Sequence, residues 1–198
     1  MTSPDSSFYF PAPRSQAYCS QCAHPLSQLI PPDDNRLRDV CEQCGAVHYQ
    51  NPRNVVGVLP VWEGKILLCR RAIHPRHGYW TLPAGFMELG ETTLEGALRE
   101  TDEEAGAQVE IGPLYTVINV PAVNQVHFYY LGNLRSPELN PGPETSDTLF
   151  VAPEDIPWDE LAFRTVSTTL QHYCDDLKKG EFGFHHSSLS TMQVDTEA

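Results

Sequence analysis

The sequence predicts an α/β fold in which helices cover both faces of a mixed β-sheet, preceded by a small cysteine-bearing unit. Two observations predict the larger part. A single helical pattern lies between runs of β-branched and aromatic residues, and a second helical pattern follows them. Two closely spaced pairs of cysteines near the start predict the smaller unit. The 198 residues suffice for one good core plus such a satellite.

The composition limits the classes of partner. The formal net charge of −13 argues against general attraction to a nucleic-acid backbone or an anionic membrane, because both reward basic surfaces. No apolar stretch approaches the length that a bilayer requires, and the first ten residues lack the basic start and apolar middle of a secretory signal. We therefore expect a cytoplasmic protein with no membrane partner, and nucleic acid is an unlikely partner.

The first fifty residues divide into an arm and a metal-binding unit. Residues 1–14 are rich in Ser and Pro and predict a flexible arm. Residues 15–50 contain two Cys-x2-Cys pairs with eighteen residues between them, a spacing typical of a closed structural zinc site. Two disulfides or a redox pair are the alternatives. Four thiolates complete the coordination, so His24 and His48 are expected at the surface. The predicted zinc ligands are Cys19, Cys22, Cys41 and Cys44.

The second domain, residues 51–180, contains the strands and helices of the predicted sheet. Its apolar and β-branched runs predict strands, its 3.6-residue periodicities predict helices, and the polar tail after residue 180 predicts disorder. The predicted strands are 55–62, 65–70, 80–82, 109–111, 115–120, 126–131 and 149–152, the predicted helices start after residue 92 and span 165–179, and the predicted disordered tail is 181–198.

The first helix has readable ends and an acidic face. Thr92 and Glu95 fit a capping box at its start, and Gly106 is placed to close its last turn in a left-handed conformation. Residues three and four apart are neighbours on a helix, so three glutamates project close together. Oxygen ligands of this kind suit magnesium or manganese. The alternative is an ordinary solvated acidic face. The three residues are Glu100, Glu103 and Glu104.

The loop and helix together resemble the Nudix box. All the fixed positions of that pattern are present, and the departures at Thr101 and Ala107 are interpreted as packing variation. The cysteine pairs and the run into the strands resemble the zinc-ribbon subgroup of Nudix hydrolases. Within it, segments 68–71, 78–85 and 141–144 are similar to plant chloroplast FAD pyrophosphatases. The box positions are Gly85, Glu91, Arg99, Glu100, Glu103, Glu104 and Gly106.

The resemblance implies a Nudix α/β/α sandwich and a role for each box residue. Family members commonly hydrolyse a nucleoside diphosphate linked to another moiety, using a divalent ion to activate water. Glu100 and Glu104 are the first choice as direct metal ligands, and Glu103 is next. The resemblance implies that Arg99 orients the glutamates and that Glu91 supports the corner between loop and helix. Gly85 could offer a backbone carbonyl to the metal.

A general base and contacts to the substrate lie outside the helix. Glu144, in a loop rich in Pro and Gly, is the predicted base and further metal ligand, and Asp147 is the reserve. Both could equally be surface acids, as could Glu88, which is a candidate substrate contact. Guanidinium groups bind phosphate bidentately, so one or two nearby arginines are expected to hold the distal phosphate. These candidates are Arg53, Arg70, Arg71 and Arg76, with His74 and His77 beside them and Tyr79, Trp80, Phe86 and Phe128 as candidate ring contacts.

The leading functional prediction is a magnesium- or manganese-dependent pyrophosphatase that converts FAD and water to FMN and AMP. ADP-ribose and NADH are the alternative substrates. The proline- and serine-rich signature of the NADH-cleaving branch is missing from residues 107–120, which disfavours NADH. From another class, the chain could be a non-catalytic nucleotide sensor or a nucleic-acid-binding zinc ribbon. Related enzymes are often homodimers, so a second copy of the chain is a candidate partner.

Overall fold

The computed structural model describes residues 16–189, so the predicted arm at residues 1–14 lies outside the described part. The chain divides into two compact units, one ending at Pro52 and one beginning at Arg53. The first contains a three-stranded antiparallel sheet of β1 (Ser27–Leu29), β2 (Arg38–Val40) and β3 (Val47–His48). Within residues 16–189, no helix has the length and apolar character needed to cross a membrane.

The second unit is built on an eight-stranded mixed sheet. Its central strands run in the order β10-β5-β4-β9-β8-β11, with β6 beside β5 and β7 beside β4. The β4–β9 and β8–β11 pairs are parallel and the others are antiparallel. The elements are β4 (Arg53–Trp62), β5 (Lys65–Arg71), β6 (Trp80–Thr81), β7 (Ala84–Phe86), α1 (Thr93–Ala105), β8 (Val109–Val120), β9 (Gln125–Leu134), β10 (Thr145–Val151), α2 (Arg164–Lys179) and β11 (His185–Ser188), with short 3-10 turns at Pro121–Val123, Pro153–Asp155 and Trp158–Glu160.

The two helices cover opposite faces of this sheet. Successive side chains of a strand point to opposite faces. On β4, Val56 and Val58 pack in one cluster with Ala97 of α1, whereas Leu59 packs in another with Val166 of α2. These five residues are all fully buried. The predicted α/β/α sandwich with a mixed sheet is therefore confirmed.

The strands differ from the prediction in several places. The strand predicted at 149–152 begins at Thr145, so Asp147, predicted in a loop, lies in β10. Residues 109–111 and 115–120 belong to one continuous strand, β8, which absorbs the intervening residues through register shifts between Ile111 and Thr116. Such bulges accommodate Pro113, whose ring nitrogen cannot donate to a ladder. The loop predicted between Gly85 and Gly90 also begins later than expected. Gly85 and Phe86 belong to β7, which pairs with residues 55–57 of β4.

Part of the tail predicted as disordered is a strand. Residues 185–188 form β11, which pairs in parallel with β8. Asp176 of α2 anchors this segment, because its buried Oδ2 accepts from Tyr115 Oη at 2.9 Å and from Gly183 N at 3.3 Å, and lies 2.7 Å from His185 Nε2. A buried carboxylate needs such partners, and the partner on β8, Tyr115, lies 61 residues away in the sequence, where no local pattern reveals it. Residues 190–198 lie outside the described part.

Candidate functional site

The four predicted cysteines converge in the first unit. Their Sγ atoms all lie within 4.8 Å of one another. Cys19 Sγ is 3.6 Å from Cys44 Sγ, and Cys22 Sγ is 3.4 Å from Cys41 Sγ. Sulfurs at the corners of a zinc tetrahedron with bonds of about 2.3 Å would be roughly 3.8 Å apart, so the arrangement fits a structural zinc ion. None of the four is in a disulfide.

His48 departs from its predicted place at the surface. It is half-buried, and its Nε2 lies 3.3 Å from Cys19 Sγ. The reason is the antiparallel pairing of β2 with β3, which brings His48 opposite Asp39 in the interior of the small sheet. His24 is exposed, as predicted.

The acidic helix α1 begins and ends as the sequence predicts. The Thr92 hydroxyl accepts from Glu95 N at 3.2 Å, and the Glu95 carboxylate accepts from Thr92 N at 2.8 Å. Gly106 closes the helix in the left-handed region, with φ of 59°. This capping box fixes the first turn and therefore the direction in which the acidic residues of the later turns project.

Glu104 is the most deeply buried of the three predicted metal ligands. Only 7% of the residue is exposed, and its Oε2 accepts from Ala84 N at 3.0 Å. Burial raises the pKa of Glu104 to about 7, while the hydrogen bond from Ala84 opposes this rise. A divalent cation would relieve the cost of ionising this carboxyl group, so the residue fits a metal site.

Glu100 lies against the backbone of Gly85. A methyl group at Gly85 would overlap the Glu100 carboxylate, so the missing side chain makes room for the carboxylate beside β7. Burial also raises the pKa of Glu100, and its ion pair with Arg99, at 2.9 Å from Nη1, acts in the opposite direction. The Glu100 carboxylate therefore packs directly on the backbone of β7.

Arg99 connects the acidic residues of the loop and the helix. Its Nε and Nη2 donate to both oxygens of Glu91, at 3.0 and 2.7 Å, and Nη2 also donates to the Phe86 carbonyl at 3.2 Å. Nη1 pairs with Glu100 and, at 3.0 Å, with Glu103. Hydrogen bonds from Arg99 lower the pKa of Glu91 to about 2. The guanidinium therefore ties the loop after β7 to α1.

The glutamates do not converge as tightly as the cysteines. Over residues 16–189, the four cysteines form the only group of three or more His, Cys, Asp or Glu ligand atoms within 4.8 Å of one another. Glu103 turns towards Arg99, and 59% of its side chain is exposed.

Arg71 and Glu144 complete a charged cluster with Glu100 and Glu104. The charge of Glu144 acts on both of these carboxyl groups and on Arg71, although Glu144 itself is exposed. Arg71 is half-buried, its Nε donates to Pro75 O at 2.8 Å, and its guanidinium lies 5.0 Å from the Phe163 ring. Burial lowers the pKa of Arg71, and the charge of Glu104 opposes this effect.

The other predicted arginines lie over aromatic rings. Their guanidinium carbons lie between 4.6 and 5.6 Å from the ring centres, which is within cation-π range. The pairs are Arg53 over Phe86, Arg70 over Trp80 and Arg76 over Tyr79.

The remaining candidates have ordinary surroundings. Trp80 is a buried core residue, and Phe128 packs beside the α1 face of the sheet. Glu88 is exposed and its main-chain N donates to Glu91 at 2.6 Å. Asp147 is exposed and accepts from Thr148 N at 2.9 Å.

Two backbone contacts at the site were missed by the sequence reasoning. One is the donation from Ala84 N to Glu104, and the other is the donation from Ala72 N to the Glu144 carbonyl at 2.7 Å. Each joins segments at least twenty residues apart, and a main-chain group carries no sequence signal of its own. The packing of α1 on β7 brings the first pair together, and the pairing of β5 with β10 brings the second.

Comparison with known proteins matches both units. The model of the NUDIX domain family matches residues 51–170, and the family model described as "Nudix N-terminal", a zinc ribbon, matches residues 17–50. A NUDIX hydrolase crystal structure from Nitrosomonas europaea is 41% identical, with a TM-score of 0.86 over 89% of this chain and 100% of that one. An ADP-ribose pyrophosphatase from Streptococcus suis, 22% identical with a TM-score of 0.55 over 70% and 100% of the two chains, shares the fold.

Curated relatives are longer than this chain. A NAD-capped RNA hydrolase NudC from Photobacterium profundum is 31% identical over 72% of this chain and 52% of its own length. The chain therefore spans about half of that relative. The predicted likeness to plant FAD pyrophosphatases is not shown by these relatives. Because one family model covers most of the chain and the full-length match is 41% identical, the chain belongs to the Nudix hydrolase family, with an N-terminal zinc ribbon.

Proposed function

We propose that the second unit hydrolyses the diphosphate bond of a nucleotide cofactor. The observation that carries this proposal is the placement of two acidic side chains beside β7, because carboxylates are suited to a hard cation. The Glu100 carboxylate lies against the Gly85 backbone, and the buried Glu104 accepts from Ala84 N at 3.0 Å. A magnesium or manganese ion bound there would supply charge neutralisation at the diphosphate and activation of water.

Each residue of the cluster has a defined task in this proposal. Glu100 and Glu104 hold the metal, Glu103 joins them when it leaves Arg99, and the Gly85 carbonyl is a further ligand. Arg99 orients Glu100 and Glu103 through its ion pairs. Glu144 is a further metal ligand or the group that takes a proton from the attacking water. Its exposure supports the second task, because a base must reach solvent and substrate.

Arg71 is the proposed phosphate contact among the four candidate arginines. Its guanidinium is partly desolvated and already interacts with the charges of Glu104 and Glu144. A phosphate would meet a stronger field there than at an exposed surface arginine. Arg53, Arg70, Arg76 and Glu88 remain proposed substrate contacts.

The zinc ribbon is proposed as a structural unit. Four thiolates leave no open coordination position for chemistry, so zinc there would hold the two Cys-x2-Cys turns together. A cytoplasmic location and a homodimer remain predictions.

The substrate is proposed as a dinucleotide. The similarity to a relative named as a NAD-capped RNA hydrolase supports a nicotinamide-containing substrate such as NADH, although residues 107–120 lack the signature of the NADH-cleaving branch. ADP-ribose remains the alternative. FAD, the first choice from the sequence, depends on the segments flanking the box, and the relatives described above do not support it.

A substrate panel tests both the activity and its specificity. The full chain would be incubated with NADH, ADP-ribose and FAD in the presence of magnesium, and the mononucleotide products separated by chromatography. We expect cleavage at the diphosphate that stops when the magnesium is chelated. Binding of a dinucleotide without turnover, in magnesium and in manganese, would instead support the sensor alternative. Preferred cleavage of FAD would instead support the substrate predicted from the sequence.

A further inference from the structure

The loop that carries Glu144 is fixed to the end of α1. We call residues 139–145 the acid loop. Asn140 N donates to the Ala105 carbonyl at 3.0 Å, and Gly142 N donates to the Glu103 carbonyl at 3.1 Å. The last carbonyls of a helix have no partner within the helix, so the acid loop satisfies two of them. The backbone of the loop is thereby held in register with the backbone of Glu103 and Glu104.

Gly142 is required at this contact for space. A methyl group on Gly142 would overlap the Glu103 carbonyl oxygen, which is a main-chain atom and cannot swing aside as a side chain can. Its backbone does not adopt the left-handed conformation, so close approach is the reason for glycine at this position. On the helix side, Gly106 plays the matching part, because a methyl group there would overlap the backbone of Asn140.

The other end of the acid loop is fixed to the strand that carries Arg71. Ala72, the residue after Arg71, donates its N–H to the Glu144 carbonyl at 2.7 Å. Between the two attachments, Thr145 N donates to the Gly142 carbonyl at 3.1 Å and closes a tight turn. Glu144 is therefore suspended between the helix bearing Glu104 and the strand bearing Arg71, at a separation that the backbone sets.

We infer that Gly142 is a positioning residue, outside the Nudix box, that sets the distance of Glu144 from the glutamates of α1. The inference rests on the proposed role of Glu144. It predicts that a substitution of Gly142 lowers turnover only because it displaces Glu144. Misplacement of a reacting group by about 1 Å can cost on the order of 100-fold in rate.

A double-mutant cycle tests this inference. Gly142→Ala, Glu144→Gln and the double variant would be compared in kcat and KM, using whichever of NADH, ADP-ribose or FAD the wild type cleaves fastest. We expect Gly142→Ala to lower kcat by about 10- to 100-fold with a smaller change in KM. In the Glu144→Gln background the same substitution should change kcat by less than about twofold, since the group that it displaces is already gone. Gly183→Ala is the matched control, because nothing lies within 4 Å of its added methyl group, and it should leave kcat unchanged.

Two results would overturn the inference. Equal losses from Gly142→Ala in both backgrounds would mean that the substitution acts by distorting α1 or the fold, and wild-type kcat in a folded Gly142→Ala variant would mean that the contact is dispensable. A Glu144→Gln variant with wild-type turnover is a different failure, because it removes the proposed role of Glu144 itself. Should Gly142→Ala not fold, Pro143→Gly takes its place in the cycle. That change adds no heavy atoms and makes the backbone of the loop more flexible. Equal losses in both backgrounds, or wild-type kcat in the folded variant, would again overturn the inference.

Discussion

The cysteine cluster of the ribbon and the glutamate cluster of the sandwich are two candidate metal sites built in opposite ways. Each cysteine pair comes from one tight turn, and the four sulfurs already lie at distances that a zinc ion requires. The glutamate cluster draws on the end of β5, the start of β7, the helix α1 and the acid loop, and Glu103 points away towards Arg99. The first site is assembled by local turns, whereas the second depends on the whole sheet.

The two sites also differ in what their ligands do for stability. The small sheet of the ribbon has little apolar core, so zinc bound by the four thiolates would supply the stability that a core supplies in a larger domain. In the sandwich, three apolar clusters hold the fold, and Glu104 is a buried acid whose burial costs free energy until a cation arrives. Removing a ligand should therefore destabilise the first unit and stabilise the second.

The largest expected effect is that of Cys41→Ser. Cys41 is fully buried, and loss of one thiolate opens a closed zinc site. Structural zinc contributes on the order of 10 kcal/mol to the folding of such small domains, so the ribbon should lose both zinc and its folded structure. Metal analysis and limited proteolysis would check this. The second unit should stay folded, because its core clusters contain only residues from the second unit.

The control for that experiment is Cys174→Ser. Cys174 is also a buried free thiol, but it lies in α2 and far along the chain from the ribbon. This variant should keep its zinc. Full zinc content in Cys41→Ser would contradict the structural-zinc assignment and with it the contrast between the two sites.

The next largest effect is that of Glu104→Gln on turnover. A metal ion supplies several kcal/mol of transition-state stabilisation, so loss of this ligand should lower kcat by about 100-fold or more. Glu103→Gln is the comparison variant, since Glu103 is largely exposed and paired with Arg99. Glu103→Gln should lower kcat by a smaller factor than Glu104→Gln. A larger loss in Glu103→Gln than in Glu104→Gln, measured at saturating magnesium, would reverse the proposed order of the ligands.

The features that depend on local turns were predicted better from the sequence than those that depend on the sheet. The convergence of the four cysteines, the capping box at Thr92 and the left-handed Gly106 were predicted correctly, because each depends on short spacings within a turn or a helix. The fold class was also predicted, since strand and helix periods alternate along the chain in a characteristic order. Local patterns carry such information without any knowledge of the sheet.

What the sequence could not supply were contacts set by pairing between distant segments. The role of Asp176 as an anchor for β11 depends on Tyr115 and His185, which lie on other elements. The half-burial of His48 depends on the register of β2 and β3. The attachments of the acid loop are main-chain bonds, so the segment 139–145 predicted only a flexible loop rich in Pro and Gly.

The smallest expected effect concerns stability and pH without magnesium. Burial raises the pKa of Glu104 from the ordinary 4.5 to about 7, so the native state holds more protons than the unfolded chain between these values. The free energy of unfolding should therefore fall as the pH rises from 4.5 to 7, by up to about 3 kcal/mol. Glu104→Gln cannot ionise and keeps an oxygen for the Ala84 N–H, so it should be more stable than the wild type at pH 8.

Denaturant unfolding at pH 5 and pH 8, with no magnesium or manganese added, would measure this difference. His127 sets the opposite trend, because burial lowers its pKa to about 4, and stability due to its neutral form is lost as the pH falls from 6.5 to 4. Glu104→Gln should therefore lose the fall in stability that Glu104 causes between pH 4.5 and pH 7, and keep the rise that His127 causes between pH 4 and pH 6.5. If Glu104→Gln were less stable than wild type at pH 8, the glutamate would be a structural group like the cysteines, and the two sites would not differ in kind.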